Sequence, residues 1–170
     1  MTGRALGLEA KAEKLVADMH RQIQRAGEQV SGLAGKRFAY FHSQKPSELA
    51  VYVKGEPRVD LLRGMGMRLA PGVADLQPPP NQFAAPLGME NVDQLADADV
   101  LFTWFNDKAH QEQIESQEIF ARLPAVRRGA YLPMLDRSLG TSMSTVTALG
   151  LPWGLKRYVP LLKKVVARAG

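Results

Sequence analysis

The order of apolar and polar positions predicts one long helix at the start of the chain. Within residues 4–30, an apolar side chain returns at alternating steps of three and four, as at Leu8, Leu15 and Ile23. This spacing is typical of an amphipathic helix with one buried stripe, and Gly32 is suited to the turn that ends it. At 1.5 Å per residue the helix would be about 40 Å long, which is more than one small domain requires.

After this helix, short apolar runs alternate with helical patterns. We predict strands at residues 37–41, 49–53, 99–105 and 130–135. Helices are predicted at residues 58–64, 108–116 and 117–123, with a short polar helix that begins at Glu90 and a terminal helix after Pro152. The proline-rich residues 70–86 and the Ser/Gly/Thr-rich residues 136–144 are predicted to be loops. Strands separated by helices are typical of an α/β domain with a mostly parallel sheet.

The run at residues 99–105 is predicted to be the central strand. It is almost entirely apolar and rich in aromatic side chains, so it must be covered on both faces. In open α/β sheets the ligand crevice lies beyond the carboxyl ends of the strands. Trp104, Phe105 and Asn106, where this strand ends, are therefore candidate ligand contacts.

Composition restricts the class of protein. A chain of 170 residues with 45% hydrophobic and 23% charged residues is typical of one globular domain. It has no cysteine, which excludes a disulfide, a thiolate metal site and a cysteine nucleophile. The net charge of +5 is spread over the chain without a long basic run, so nucleic acid is not the expected partner.

No sequence motif supports catalysis. The chain has neither a phosphate-binding loop nor a nucleophile elbow, and its three histidines lack the spacing of metal ligands. The predicted strand ends instead gather His42, Arg58 and Arg137 with the aromatic pair Trp104 and Phe105. Such a crevice suits an anionic, partly aromatic small molecule. We therefore expect a binding protein. The alternative is a Rossmann-like enzyme with its active site at the same strand ends.

Four segments, taken together and in order, resemble a known family. They are ALGLEAKAEKLVADMHRQIQ followed by LAGKRFAYF, MENVDQLADADVLFTWFN, IFARLPAVRRGAYLPML and TALGLPWGLKRYVPLLKKVV. Their order and spacing are similar to those of the helical-backbone substrate-binding proteins, which serve ABC importers for ferric siderophores, haem and cobalamin. The resemblance covers essentially the whole chain.

The resemblance implies a two-lobed extracytoplasmic protein, of which this chain holds only part. Residues 1–32 would be the helix that connects the lobes, and residues 33–170 a Rossmann-like, three-layer C-terminal lobe. A signal segment, a lipid anchor and the N-terminal lobe would precede them. The implied function is to capture a ferric siderophore and deliver it to the permease of an ABC transporter, with haem or cobalamin as alternative ligands. Iron would arrive inside the chelate, so we expect no cofactor and no metal held by the protein itself.

The resemblance also implies roles for individual residues. Glu90 matches a glutamate of the C-terminal lobe that docks into an arginine pocket of the permease. An exposed carboxylate at a helix start is stabilised by the helix dipole and stays available to a partner arginine. Arg58, within VKGEPRVD, resembles the arginine that contacts iron-bound oxygens in some siderophore-binding proteins, although Val59 replaces the aromatic residue usual there. The segment that contains Arg137 matches a cleft position.

Overall fold

The structure is a computed structural model that describes residues 2–170, apart from the side chains at positions 2, 3 and 44. Its strands are β1 (Arg37–Lys45), β2 (Glu48–Tyr52), β3 (Arg68–Leu69), β4 (Ala84–Gly88), β5 (Val100–Trp104) and β6 (Tyr131–Met134). Its α-helices are α1 (Thr2–Ala5), α2 (Glu9–Glu28), α3 (Pro57–Gly64), α4 (Pro71–Ala74), α5 (Lys108–Glu115), α6 (Glu118–Ala121), α7 (Pro124–Arg127), α8 (Arg137–Ser144) and α9 (Gly150–Val166). A 3₁₀ helix covers Met89–Leu95.

The strands form one open sheet in the order β4-β2-β1-β5-β6, with β3 beside the start of β1. β1 pairs in parallel with β3 and β5, and β5 pairs in parallel with β6. β2 is antiparallel to both β1 and β4, because a turn of two residues joins it to β1. Among the strands within residues 2–170, only β2 runs against the others. The predicted α/β fold with a mostly parallel sheet is confirmed.

Helices cover both faces of the sheet. Neighbouring residues of a strand point to opposite faces, and the aromatic contacts follow this alternation. Phe102 packs against Tyr158 of α9, with ring centroids 6.5 Å apart. Phe41 on the other face packs against Phe120 of α6, with centroids 5.8 Å apart. Helices α2, α3, α8 and α9 contact one another on the first face, so the fold has three layers.

The strand β5 is the centre of the core, as its apolar sequence predicts. It lies between β1 and β6, and its residues from Val100 to Thr103 are completely or almost completely buried. The preceding 3₁₀ helix buries Val92 and Leu95 beneath the sheet edge. The carboxyl end of β5 therefore has a fixed position in the domain.

The predicted continuous helix over residues 4–30 is wrong in its extent. Gly7 has a φ of 67°, a left-handed conformation that ends α1 and separates it from α2. α2 has 20 residues, which gives about 30 Å instead of 40 Å. It ends at Glu28, and Gly32 with its φ of 77° lies in the turn that follows.

Two predicted loops contain regular structure. Residues 137–144 form α8, because the Asp136 carboxylate caps the helix by accepting a hydrogen bond from the Leu139 N–H. Leu139 and Met143, four residues apart, are the buried side of this helix. The proline-rich segment contains α4 and β4. β4 tolerates Pro86 because it is an edge strand, paired with β2 alone.

Helix α2 is buried at one end and exposed at the other. Ile23, Ala26 and Gly27 pack against α3 and α9, whereas Leu15 and Val16 are exposed. None of the helices described within residues 2–170 has the length and apolarity needed to cross a membrane.

We predict that Gly27→Ala destabilises the domain. At an exposed helix position this substitution would stabilise by up to about 1 kcal/mol. Here the added Cβ would overlap the backbone carbonyl of Met65, so α2 must move away from α3. We expect a loss of about 2–3 kcal/mol in the free energy of unfolding, measured by urea denaturation. The exposed Gln24→Ala on the same helix is the control and should change little. Equal or greater stability of Gly27→Ala would contradict the close packing of α2 on α3.

Candidate functional site

A cavity of about 140 Å³ lies at the carboxyl ends of β5 and β6, beneath α8. Its lining joins the two strand ends to α3 and α8, and consists of Arg58, Trp104, Phe105, Met134, Leu135, Asp136, Arg137, Gly140, Thr141 and Ser144. This is the edge of the sheet at which α/β proteins bind ligands. Of the residues predicted from the sequence, the structure brings together Arg58, Trp104, Phe105 and Arg137.

An aromatic layer forms one wall of the site. Trp104, Tyr40 and Tyr52 lie on adjacent strands and project from the same face of the sheet. The Trp104 Nε1–H donates to the Tyr52 hydroxyl over 3.1 Å, which fixes the orientation of the indole ring. The rings of Tyr40 and Tyr52 are also in contact, with centroids 5.6 Å apart.

Arg58, in the first turn of α3, lies across this aromatic layer. Its Cζ is 5.2 Å from the ring centroid of Tyr52 and 5.8 Å from those of Tyr40 and Trp104. These distances are within the range of cation–π attraction, which strengthens when the cation is shielded from water. The side chain of Arg58 is only 14% exposed.

Glu56 explains why a cation is accepted at the start of a helix. It is the N-cap of α3, and one carboxylate oxygen accepts from the backbone N–H groups of Arg58 and Val59. The other oxygen accepts from the Arg58 guanidinium over 2.8 Å. Burial raises the pKa of Glu56, and the positive charge of Arg58 opposes that rise. The pair therefore places a carboxylate where the helix dipole favours one.

One donor of Arg58 is both buried and unpaired. Among the polar side-chain atoms of the described residues, the Arg58 Nε is buried and has no hydrogen-bond partner. An unpaired buried donor costs free energy that a bound acceptor would recover. Because Arg58 lines the cavity, this N–H is a candidate ligand contact.

The sequence predicts His42 in a loop at the end of a strand, but the structure places it within β1. β1 continues to Lys45, so His42 is within the strand and buried. Its ring stacks on Trp104 with centroids 3.9 Å apart, and its Nδ1 is 3.3 Å from the Trp104 carbonyl oxygen. Burial lowers the pKa of His42, which favours the neutral imidazole. In this position His42 packs beside the tryptophan on the neighbouring strand.

The remaining predicted residues differ in position. Phe105 is buried and forms the floor of the cavity. Asn106 lies outside it, in a separate shallow depression beside α5 that also contains His110. Arg137 is the first residue of α8 and is exposed at the rim.

Glu90 lies apart from the cavity, exposed in the 3₁₀ helix that follows β4. β4 runs in the same direction as β5, so both strands end at the same edge of the sheet. Three strand spacings separate them, or about 14 Å. Gly88 leaves room for the Glu90 carboxylate, since a Cβ at that position would overlap it.

Sequence reasoning missed Glu56, Tyr40, Tyr52 and the hydroxyls of α8. A carboxylate directly before Pro57 is a recognisable helix-start signal, because proline is favoured at the first helical position. The role of the tyrosines depends on strand register and was not available from the sequence. Within the described residues no group of three or more His, Asp or Glu side chains is placed to hold a metal ion.

Comparisons with solved structures show the same fold in binding proteins of iron uptake. PiaA from Streptococcus pneumoniae TIGR4 in complex with ferrichrome matches 99% of this chain and 57% of its own, at 20% identity and a TM-score of 0.83. FhuD2 from Staphylococcus aureus with bound ferrioxamine B matches 96% of this chain and 62% of its own, at 16% identity and a TM-score of 0.75.

A third structure, a periplasmic solute binding protein from Mycobacterium smegmatis str. MC2 155, matches 97% of this chain and 54% of its own. Its identity is 20% and its TM-score 0.76. The chain thus spans somewhat more than half the length of these proteins. No match was found among curated protein sequences.

The sequence resemblance is confirmed at the level of the family. The family model described as periplasmic binding protein matches residues 1–131, most of the chain and all of it up to the start of β6. The chain belongs to the periplasmic binding protein family.

Proposed function

We propose that the chain is the C-terminal lobe of an extracytoplasmic binding protein that captures a ferric siderophore and delivers it to an ABC transporter permease. The observation that carries the proposal is the buried, unpartnered Nε–H of Arg58 beside Trp104, at the carboxyl ends of the parallel strands. A chelate offers acceptor oxygens to the donor and an apolar surface to the indole. The bound ligands of the similar structures, ferrichrome and ferrioxamine B, support this class of ligand.

The size of the cavity supports a shared site. Pockets for small molecules usually have volumes of about 300–1,000 Å³. The cavity of about 140 Å³ is smaller than this, so the chain provides one wall. In our proposal the N-terminal lobe provides the opposing wall, and the isolated C-terminal lobe binds weakly.

Helix α2 supports the two-lobed arrangement. Its final turns pack into the domain, while the apolar side chains of Leu8, Leu15 and Val16 are exposed. A helix that is apolar where it leaves its own domain is suited to contact with another body. We propose that residues 1–32 join the two lobes as a rigid connection.

We expect that replacing the Arg58 donor weakens ligand binding. Arg58→Lys keeps the charge beside Glu56 but lacks the Nε–H and the planar guanidinium. Affinity for the chelate should fall about ten- to a hundredfold. Since the chain has two tryptophans, the fluorescence titration uses a two-lobed protein in which Trp153 and every tryptophan of the N-terminal lobe are replaced by Phe, so that Trp104 is the only reporter. The ligands are ferric hydroxamate, catecholate and carboxylate chelates and haem.

The exposed arginine of α9 provides the control, because Arg157→Lys makes the same change outside the cavity and should leave affinity unchanged. If no chelate and no haem quenches Trp104 in the otherwise unaltered protein, the ligand class is wrong.

Glu90→Gln should impair delivery without affecting capture. The carboxylate is exposed, and it lies apart from the cavity on the other flank of the same sheet edge. We expect slower chelate uptake in a transport assay with the permease, at unchanged ligand affinity. Asp93→Asn removes an exposed carboxylate from the same 3₁₀ helix and is the matched control. An equal loss of affinity and uptake in Glu90→Gln would refute a docking role.

A further inference from the structure

Arg58 and Glu56 form a close pair that is largely shielded from solvent. Their side chains are 14% and 9% exposed, and an Nη1 nitrogen lies 2.8 Å from Oε1 of the carboxylate. The other oxygen of Glu56 is held by two backbone N–H groups of α3. The backbone of α3 thus holds the Glu56 carboxylate in the position at which its second oxygen pairs with the guanidinium.

The pairing determines which atoms of Arg58 remain for a ligand. Nη1 is occupied by Glu56, and the buried Nε–H has no partner among the described residues. Tyr40, Tyr52 and Trp104 lie against one side of the guanidinium. Arg58 thus keeps donors for a ligand while Glu56 opposes its charge at close range.

Other charges at the cavity do not alter this balance. Asp136 and Arg137, which also line it, are adjacent in the chain, opposite in sign and exposed to solvent. Asp60, the further acid in the first turn of α3, is exposed and pairs with Arg63 over 3.1 Å. The charges that line the cavity therefore sum to about zero once Glu56 is counted against Arg58.

We propose that Glu56 is a positioning residue that sets the charge selectivity of the site, so that it accepts an electrically neutral iron chelate in preference to a polyanionic one. The inference rests on the proposed function, because it assumes that the cavity binds a ferric chelate. Three hydroxamate monoanions balance Fe³⁺ and give a neutral chelate, whereas three catecholate dianions leave a triply negative one. A buried carboxylate beside Arg58, the buried cation of the cavity, opposes the approach of such a trianion at short range.

The test compares two chelates in two proteins. Dissociation constants for ferrichrome and for a ferric tris-catecholate are measured by Trp104 fluorescence in the two-lobed protein and in its Glu56→Gln variant. Gln can still cap α3 through its amide oxygen but has no charge. In Glu56→Gln we expect the affinity for the catecholate to rise about tenfold relative to the affinity for ferrichrome.

Two further variants separate charge from capping. Asp60→Asn removes one negative charge from the same helical turn, but at an exposed position, and should leave the ratio unchanged. Glu56→Asp keeps both the charge and a favoured capping residue, so it should retain the preference for the neutral chelate. An unchanged ratio in Glu56→Gln, or the same shift in Asp60→Asn, would overturn the inference.

A measurement without ligand tests the positioning role on the chain itself. In protein with ¹⁵N-labelled arginine, we expect the Arg58 Nε–H to exchange slowly with solvent and its guanidinium to rotate slowly. Glu56→Gln should accelerate both, with the other arginines unaffected. Unchanged Arg58 signals would refute positioning by Glu56, whereas failure of the unaltered protein to bind either chelate would refute the proposed function.

Discussion

The site depends on the cost of keeping a guanidinium out of water. An unpaired ion loses several kcal/mol of solvation when it is buried in a protein. Arg58 is tolerated because Glu56 opposes its charge at 2.8 Å and three aromatic rings face it. A buried pair of this kind is weak evidence for stability, since apolar side chains of similar size often serve as well. Its position beside a cavity at the strand ends is better explained by recognition than by folding.

The register of the paired strands determines the geometry of the site. Because side chains alternate along a strand, the register of β1 with β2 and β5 places Tyr40, Tyr52 and Trp104 on one face. His42, paired with Trp104 on the neighbouring strand, stacks against the indole. The neutral imidazole adds no charge next to Arg58, and burial lowers the pKa of His42 in the direction that preserves this state. The position of the cation thus follows from the packing of the core.

The sequence revealed the parts of the fold that depend on strong local signals. The apolar run of β5 identified the central strand, and the strand-end pattern identified Arg58 and Trp104, which the structure brings together at the cavity. Helix α8 was not predicted because its Ser, Thr and Gly residues are typical of loops. Its formation depends on the Asp136 cap and on burial of two side chains. β4 was not predicted because Pro86 is tolerated only in an edge strand, and the order of all the strands decides which strand lies at the edge. The capping role of Glu56 is visible as a carboxylate before Pro57, but its buried pairing with Arg58 depends on the tertiary packing and is not visible in the order of residues.

The single reversed strand has a consequence for the proposed delivery step. A β1–β2 hairpin turns the chain around, and β4 then runs antiparallel to β2, so that β4 ends at the same edge as β5. Glu90 after β4 and the cavity after β5 therefore share an edge, about three strand spacings apart. A partner that contacts the exposed carboxylate would therefore approach the end of the sheet at which the cavity lies. Within the proposed function, this arrangement allows the permease to engage the loaded protein before the ligand leaves its site.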